Sequence, residues 1–186
     1  MRAARLPSVL DTERLILRAW CTADAPRLLP LLEANVEHLS AWIPAHVANP
    51  APLHELALRL AGFAESFAAG TSWRWSIRPR ESGALAGEVS LFPRSYSGRV
   101  PFAVADRVEI GYWLDRAATG RGYATEAARA LLELSLGLPG IEQVEIRCDP
   151  RNVASAAVPR RLGFRVVDDG SADGSDPPVM TWSYAP

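Results

Sequence analysis

The stretch Glu109-Ile-Gly-Tyr-Trp-Leu-Asp-Arg-Ala-Ala-Thr-Gly-Arg-Gly-Tyr-Ala-Thr-Glu-Ala127 runs a strand into a short loop and then into a helix. Residues 108–114 read as the strand, and residues 123–136, rich in Ala, Leu and Glu, read as a strong helix. Between them Gly120 and Gly122 lack a Cβ, so the loop can turn sharply and a bulky anion can approach the backbone. The first amides of the helix have no intrahelical partner and carry the positive end of its dipole, which makes phosphate the natural guest. Arg121 can add a charge-assisted contact. Gly111 interrupts the strand interior and predicts either a bulge or the close approach of a ligand. Two glycines also fit an ordinary turn or helix cap, and the loop has neither the Gly-Lys-Ser/Thr ending of a P-loop nor the spacing of a dinucleotide fingerprint.

Upstream of this junction, residues 14–20 alternate as a first strand, with Leu15 and Leu17 on one face and Ile16 on the other. Thr22 is a candidate N-cap, followed by a helix to about residue 35 that Pro30 is expected to bend. Three prolines and Trp42 break the pattern over residues 37–52; a helix then starts at Pro52 and stops at Gly70. Residues 73–78 and 84–92 read as a hairpin, and 93–105 as a loop. Downstream, Gly137 and Gly140 close the helix, residues 143–148 form a strand, 152–162 a helix and 164–168 a strand. A Gly, Asp and Ser-rich turn at 170–178 precedes a closing strand at 179–184. The alternation predicts a mixed α/β sheet without internal repeats.

At 186 residues with 48% hydrophobic content, the chain is expected to be one domain over residues 1–186. All 20 basic residues are Arg and are dispersed, giving a net charge of -1, so no basic stripe points to nucleic acid. Cys21 and Cys148 form no metal or disulfide pattern. His38, His46 and His54 lack ligand spacing and are expected to be surface or satisfied residues, so no metal is expected. With no signal peptide and no membrane span, the expected location is cytoplasmic.

The glycine loop resembles the acyl-CoA binding motif of the GNAT superfamily, in which Gln or Arg is followed by two residues, Gly, one residue, then Gly or Ala. Thr119, Gly120, Arg121, Gly122, Tyr123 and Ala124 fall on its six positions, with Thr119 in place of Gln or Arg. The chain is similar to the RimJ/RimL branch, which acetylates ribosomal-protein N-termini. That likeness rests on Thr12-Glu-Arg-Leu-Ile-Leu-Arg18, Glu109-Ile-Gly-Tyr-Trp113, Gly122-Tyr-Ala-Thr-Glu-Ala127, Asn152-Val-Ala-Ser155 and Leu162-Gly-Phe164. It implies an α/β (α+β) fold: a mixed, mostly antiparallel sheet of about seven strands, flanked by helices, whose central parallel pair at 108–114 and 143–148 splays apart. Pantetheine would lie in that opening and bond to strand amides at Tyr112, Trp113 and Leu114, with Gly111 at the bend that frees them.

The activity so implied is transfer of acetyl from acetyl-CoA to an amine, which must be neutral to attack the thioester. An α-amine, with pKa about 7.7 to 8.0, needs less help than a lysine near 10.4. A protein N-terminus is therefore the leading acceptor; the alternatives are a small amine such as an aminoglycoside or polyamine, or, in a different class, a non-catalytic acyl-CoA binding module. Glu109 is the candidate base, acting through water, with an ordinary strand carboxylate or an Arg partner as its plain reading and Glu88 as a weaker second base. Asn152 and Ser155 share a helix face three residues apart and are candidates for cofactor contact and catalysis, Ser155 as proton donor to the thiolate. Asn152 also suits a simple helix cap. Many family members carry a Tyr acid where this chain has Pro159, which is expected to kink or shorten the helix. Trp42, Trp73, Trp75 and Tyr96 are candidates for the acceptor pocket, though aromatic residues are more often core. The expected partners are acetyl-CoA and an amine acceptor, with a homodimer left open and neither nucleic acid nor membrane.

Overall fold

The computed structural model describes residues 4–170 and 178–185, so most of the turn read at 170–178 lies outside the described residues. Along the chain come β1 (Val9–Asp11), β2 (Leu15–Ala19), α1 (Ala25–Ala34), α2 (Val36–Ser40), α3 (Ala45–Ala48) and α4 (Leu53–Ala69). Then follow β3 (Trp73–Pro79), β4 (Gly87–Ser95), β5 (Gly98–Arg99), β6 (Arg107–Leu114), α5 (Tyr123–Leu136), β7 (Gln143–Cys148), α6 (Val153–Arg161), β8 (Arg165–Asp168) and β9 (Met180–Tyr184). The sheet order is β1-β2-β3-β4-β6-β7-β9-β8, with β5 hairpinned onto β4. Every pairing is antiparallel except β6 with β7.

Side-chain alternation divides the sheet between two apolar clusters. Val108 and Ile110 of β6 enter the larger, with Trp73, Trp75, Val144 and the α5 stripe. Trp113 enters the smaller, under α1 to α4 with Leu32, Leu56 and Leu60. Helix α5 forms because Tyr123, Ala127, Ala128, Leu131, Leu132 and Ser135 fall on one buried stripe. Leu131→Ala would open a void there at a cost of about 2–5 kcal/mol.

Several expectations need correction. The sheet has nine strands among the described residues rather than about seven, because the three-residue β1 and two-residue β5 escape any periodicity test. The second hairpin strand starts at Gly87 and continues through Pro93 to Ser95, so residues 93–105 are not simply loop. The expected cap Thr22 lies in a 3-10 turn, Thr22–Asp24, and the α-helix starts at Ala25. Pro159 sits inside α6, which still runs to Arg161. Gly111 makes no bulge, since β4 and β6 pair in unbroken register past it.

Candidate active site

The turn before α5 leaves its donors open. Gly120 and Gly122 take left-handed φ values of +74° and +79°, which L side chains rarely adopt, and Gly122 is the N-cap of α5. Among the described residues, none of the amides from Gly120 to Thr125 donates to a protein acceptor; the first to do so is Glu126, to Gly122 O at 3.0 Å. Thr119 is engaged, its amide donating to Arg116 O at 3.3 Å and its hydroxyl to the same oxygen at 2.8 Å. An oxygen-rich anion fits such a row of unpaired N–H groups at a helix start.

Arg14 and Glu126, unassigned by the sequence reading, hold this turn, with Thr12 supporting Glu126. The Arg14 amide and Nε donate to the two Glu126 carboxylate oxygens at 2.8 and 2.7 Å, and Arg14 Nη1 donates to Arg121 O at 2.9 Å. Thr12 Oγ1 donates to Glu126 Oε1 at 2.6 Å. Burial opposes the charge of Glu126, yet these donors hold its carboxyl below its ordinary range. Both residues lie within quoted stretches, but a contact over 112 residues leaves no local signal.

From the turn, a cavity of about 1490 Å³ crosses the sheet where β6 and β7 part. Their parallel register runs from Arg107↔Gln143 to Ile110↔Ile146 and stops there. Beyond it, residues 111–114 keep only their ladder to β4, and Arg147 and Cys148 only theirs to β9. The backbone of Tyr112, Trp113 and Leu114 therefore forms an unpaired edge on the opening. Gly111 belongs here for a packing reason: an added Cβ would stand 2.9 Å from Ser90 Oγ.

On one side of the opening lie Tyr112, Cys148, Asn152 and Ser155, all lining the cavity. Asn152 is the α6 N-cap, its side chain accepting from the Ser155 amide at 3.0 Å. Ser155 Oγ donates to the Tyr112 hydroxyl at 3.3 Å, and that hydroxyl donates to Ser155 O at 2.8 Å. Burial pushes both the Tyr112 phenol and the Cys148 thiol up from their ordinary values, so neither readily carries charge.

The opposite sheet face carries the carboxylates. Glu109 receives Arg94 Nη1 on Oε2 at 2.7 Å, and no donor reaches its Oε1 among the described residues. Glu88 has both oxygens filled, Oε1 by Arg74 Nη1 at 2.6 Å and Oε2 by Trp20 Nε1 at 2.8 Å. Burial pushes the Glu88 carboxyl up, against the pull of Arg74 and the indole. Both carboxylates line the cavity, as do His38, Trp42 and His46 from the α2 to α3 arm. His38 and His46 are therefore cavity-wall residues. Trp73 and Trp75 are core, and Tyr96 is 95% exposed outside the cavity; of the four aromatics considered, only Trp42 borders it. No cluster of potential metal ligands occurs among the described residues, nor any helix long and apolar enough to cross a membrane.

A mixed sheet thus parts at one parallel pair, with open amides at one end of the gap and carboxylates across it. Residues 14–165 match the family model of the acetyltransferase (GNAT) domain, and the chain belongs to that family. It is an acetyl-CoA-dependent acyltransferase. A relative in Bacillus subtilis (strain 168), provisionally named ribosomal N-acetyltransferase YdaF, is 28% identical over 169 residues, covering 86% of this chain and 81% of that one. Among solved structures, the chain shares its fold with RimL, a ribosomal L7/L12 α-N-protein acetyltransferase in complex with coenzyme A: TM-score 0.78, 22% identity, 95% of this chain and 97% of that one. It shares it equally with the microcin C7 self-immunity acetyltransferase MccE in complex with acetyl-CoA and AMP: TM-score 0.78, 20% identity, 98% of each.

Proposed function

We propose that the chain acetylates the α-amine of a protein N-terminus, with a ribosomal protein as the acceptor class and the cytoplasm as its place of action. The carrying observation is the continuous cavity from the open amides before α5, across the parted β6 and β7, to the free oxygen of Glu109. The name of RimL describes α-N acetylation of a ribosomal protein and that of YdaF a ribosomal N-acetyltransferase, each for that protein, and this reading follows them.

In this reading the amides of residues 120–125 hold the diphosphate, and the unpaired edge at 111–114 holds the pantetheine. Glu109 takes the amine proton through water at Oε1, while Arg94 fixes the carboxylate through Oε2. Arg74, Arg94 and Arg99 disfavour a protonated amine nearby and so favour the nucleophilic form. Ser155 is the proton source at the thiol end, and Asn152 sets the start of α6 that presents it. Incubating the protein with acetyl-CoA and a panel of N-terminal peptides, aminoglycosides and polyamines, read by mass spectrometry, tests the acceptor. Acetylation confined to peptide α-amines is the expected outcome; acetylation confined to the small amines would overturn it.

A further inference from the structure

On the carboxylate face of the sheet, the charges pair off with one exception. Arg74 is spent on Glu88 and Arg94 on Glu109, each through a hydrogen bond of 2.6 to 2.7 Å. Arg107 is spent on Asp106 and Glu145. Arg99, on β5, borders the same cavity, yet no carboxylate stands within ion-pair or hydrogen-bond distance of it among the described residues. Arg99 is thus the one guanidinium of this group without a carboxylate in contact among the described residues.

The unmatched charge is held in position. The Arg99 guanidinium lies 3.8 Å from the centroid of the Phe92 ring, which is buried in the sheet, while Arg74 approaches the same ring at 4.9 Å and Phe63 at 4.4 Å. Stacking restrains the planar fork and leaves its N–H edges free, the arrangement in which arginine reads a carboxylate with two parallel bonds. Burial pulls the Arg99 guanidinium below its ordinary value; Glu109 opposes that pull, and Arg74 and Arg94 add smaller repulsions to it. A bound anion would relieve that repulsion, whereas a second cation would add to it.

We infer that Arg99 selects the acceptor, binding the carboxylate of an Asp or Glu side chain that lies one or two residues from the acetylated α-amine. The inference rests on the N-terminal reading above and names the substrate class of the same site: acidic N-termini, with polycationic amines rejected. The free N–H edge of Arg99 and the carboxylate form charge-assisted hydrogen bonds, and the amine is left beside Glu109.

Matched peptides that begin with Ser and carry Asp, Asn or Lys at the second and third positions test it, with kcat/KM measured for the wild type, Arg99→Gln and Arg99→Glu. The expected wild-type preference for Asp over Asn is at least about tenfold, the size of a charge-assisted bond, with Lys lower still. In Arg99→Gln the ratio should fall to about one, and in Arg99→Glu it should turn toward Lys. Raising ionic strength should shrink the wild-type ratio. Equal use of the Asp and Lys peptides by the wild type, or an Asp preference that persists in Arg99→Gln, would overturn this inference alone. Failure to acetylate any peptide, with acetyl-CoA still raising the melting temperature, would overturn the N-terminal reading and this inference with it.

Discussion

The hydroxyl of Tyr112 on β6 donates a 2.8 Å hydrogen bond to the carbonyl of Ser155 on α6. In an α-helix that carbonyl would accept from the amide four residues on, which here belongs to Pro159 and does not exist. The phenol thus supplies the donor that the proline removes, and it ties the helix bearing Ser155 to the strand that borders the opening.

Tyr112→Phe should cost about 1–2 kcal/mol in urea unfolding, the effect of leaving a part-buried acceptor without a donor. In a Pro159→Ala background the helical amide returns, and the same substitution should then cost less than about 0.5 kcal/mol. Additive costs would show that the phenol and the proline do not share an acceptor.

Helix α5 was legible because its apolar stripe is long and bounded by Gly122 and Gly137, and its observed limits match the expectation. The parted strands were legible through the family likeness, with Gly111 as their one local mark. What escaped the sequence was fixed by distant contacts. The short helices α2 and α3 exist because Leu39, Val47 and Ala48 pack under α4, not because five or four residues could hold a helix alone. Strand β4 passes through Pro93, a residue that ordinarily ends a strand assignment. The loop expected at 93–105 hid Arg94 and Arg99, and with them the electrostatics of the carboxylate face. Glu109 could be singled out from sequence; that one of its oxygens is clamped and the other free could not.

Arg14 and Glu126 brace the turn before α5, Arg14 through the Arg121 carbonyl, so their loss should appear in acetyl-CoA affinity more than in turnover. Glu126→Gln, which keeps the shape but loses the charge that strengthens the Thr12 and Arg14 bonds, should weaken acetyl-CoA binding by roughly tenfold. Calorimetric titration with acetyl-CoA measures it. An unaltered dissociation constant would remove this pair from any role at the turn.

The two carboxylates that line the cavity, Glu88 and Glu109, should separate under the same substitution. Glu109→Gln leaves a side chain that can still accept from Arg94 but cannot take a proton, so turnover should fall by about 10²- to 10⁴-fold with acetyl-CoA affinity retained. Glu88→Gln leaves Arg74 buried without its counter-charge, so its main effect should be on stability, about 3 kcal/mol. Turnover lost in Glu88→Gln at full stability, with Glu109→Gln active, would exchange their roles.

Asp24 offers a test of the fold's pH dependence away from the site. Its buried carboxylate accepts from Arg18 Nη2 at 2.7 Å, Arg78 Nη2 at 2.8 Å and the Cys21 amide at 3.2 Å. Burial alone would push its pKa up; the Cys21 amide, Arg78 and Arg18 together outweigh burial and bring it below the ordinary carboxylate value. A carboxyl with a depressed folded pKa stabilises the fold above its unfolded pKa, about 3.9, and that contribution fades as pH falls through the folded pKa. Asp24→Asn should therefore lower the melting temperature at pH 7 by roughly 6–12 °C, corresponding to about 3 kcal/mol for a chain of this size. Below about pH 4 the wild type should lose more stability than the variant, so the two melting curves converge toward acid. A gap that stays constant from pH 7 to pH 3 would mean that the charge of Asp24 contributes nothing and that only its shape is needed between Arg18 and Arg78.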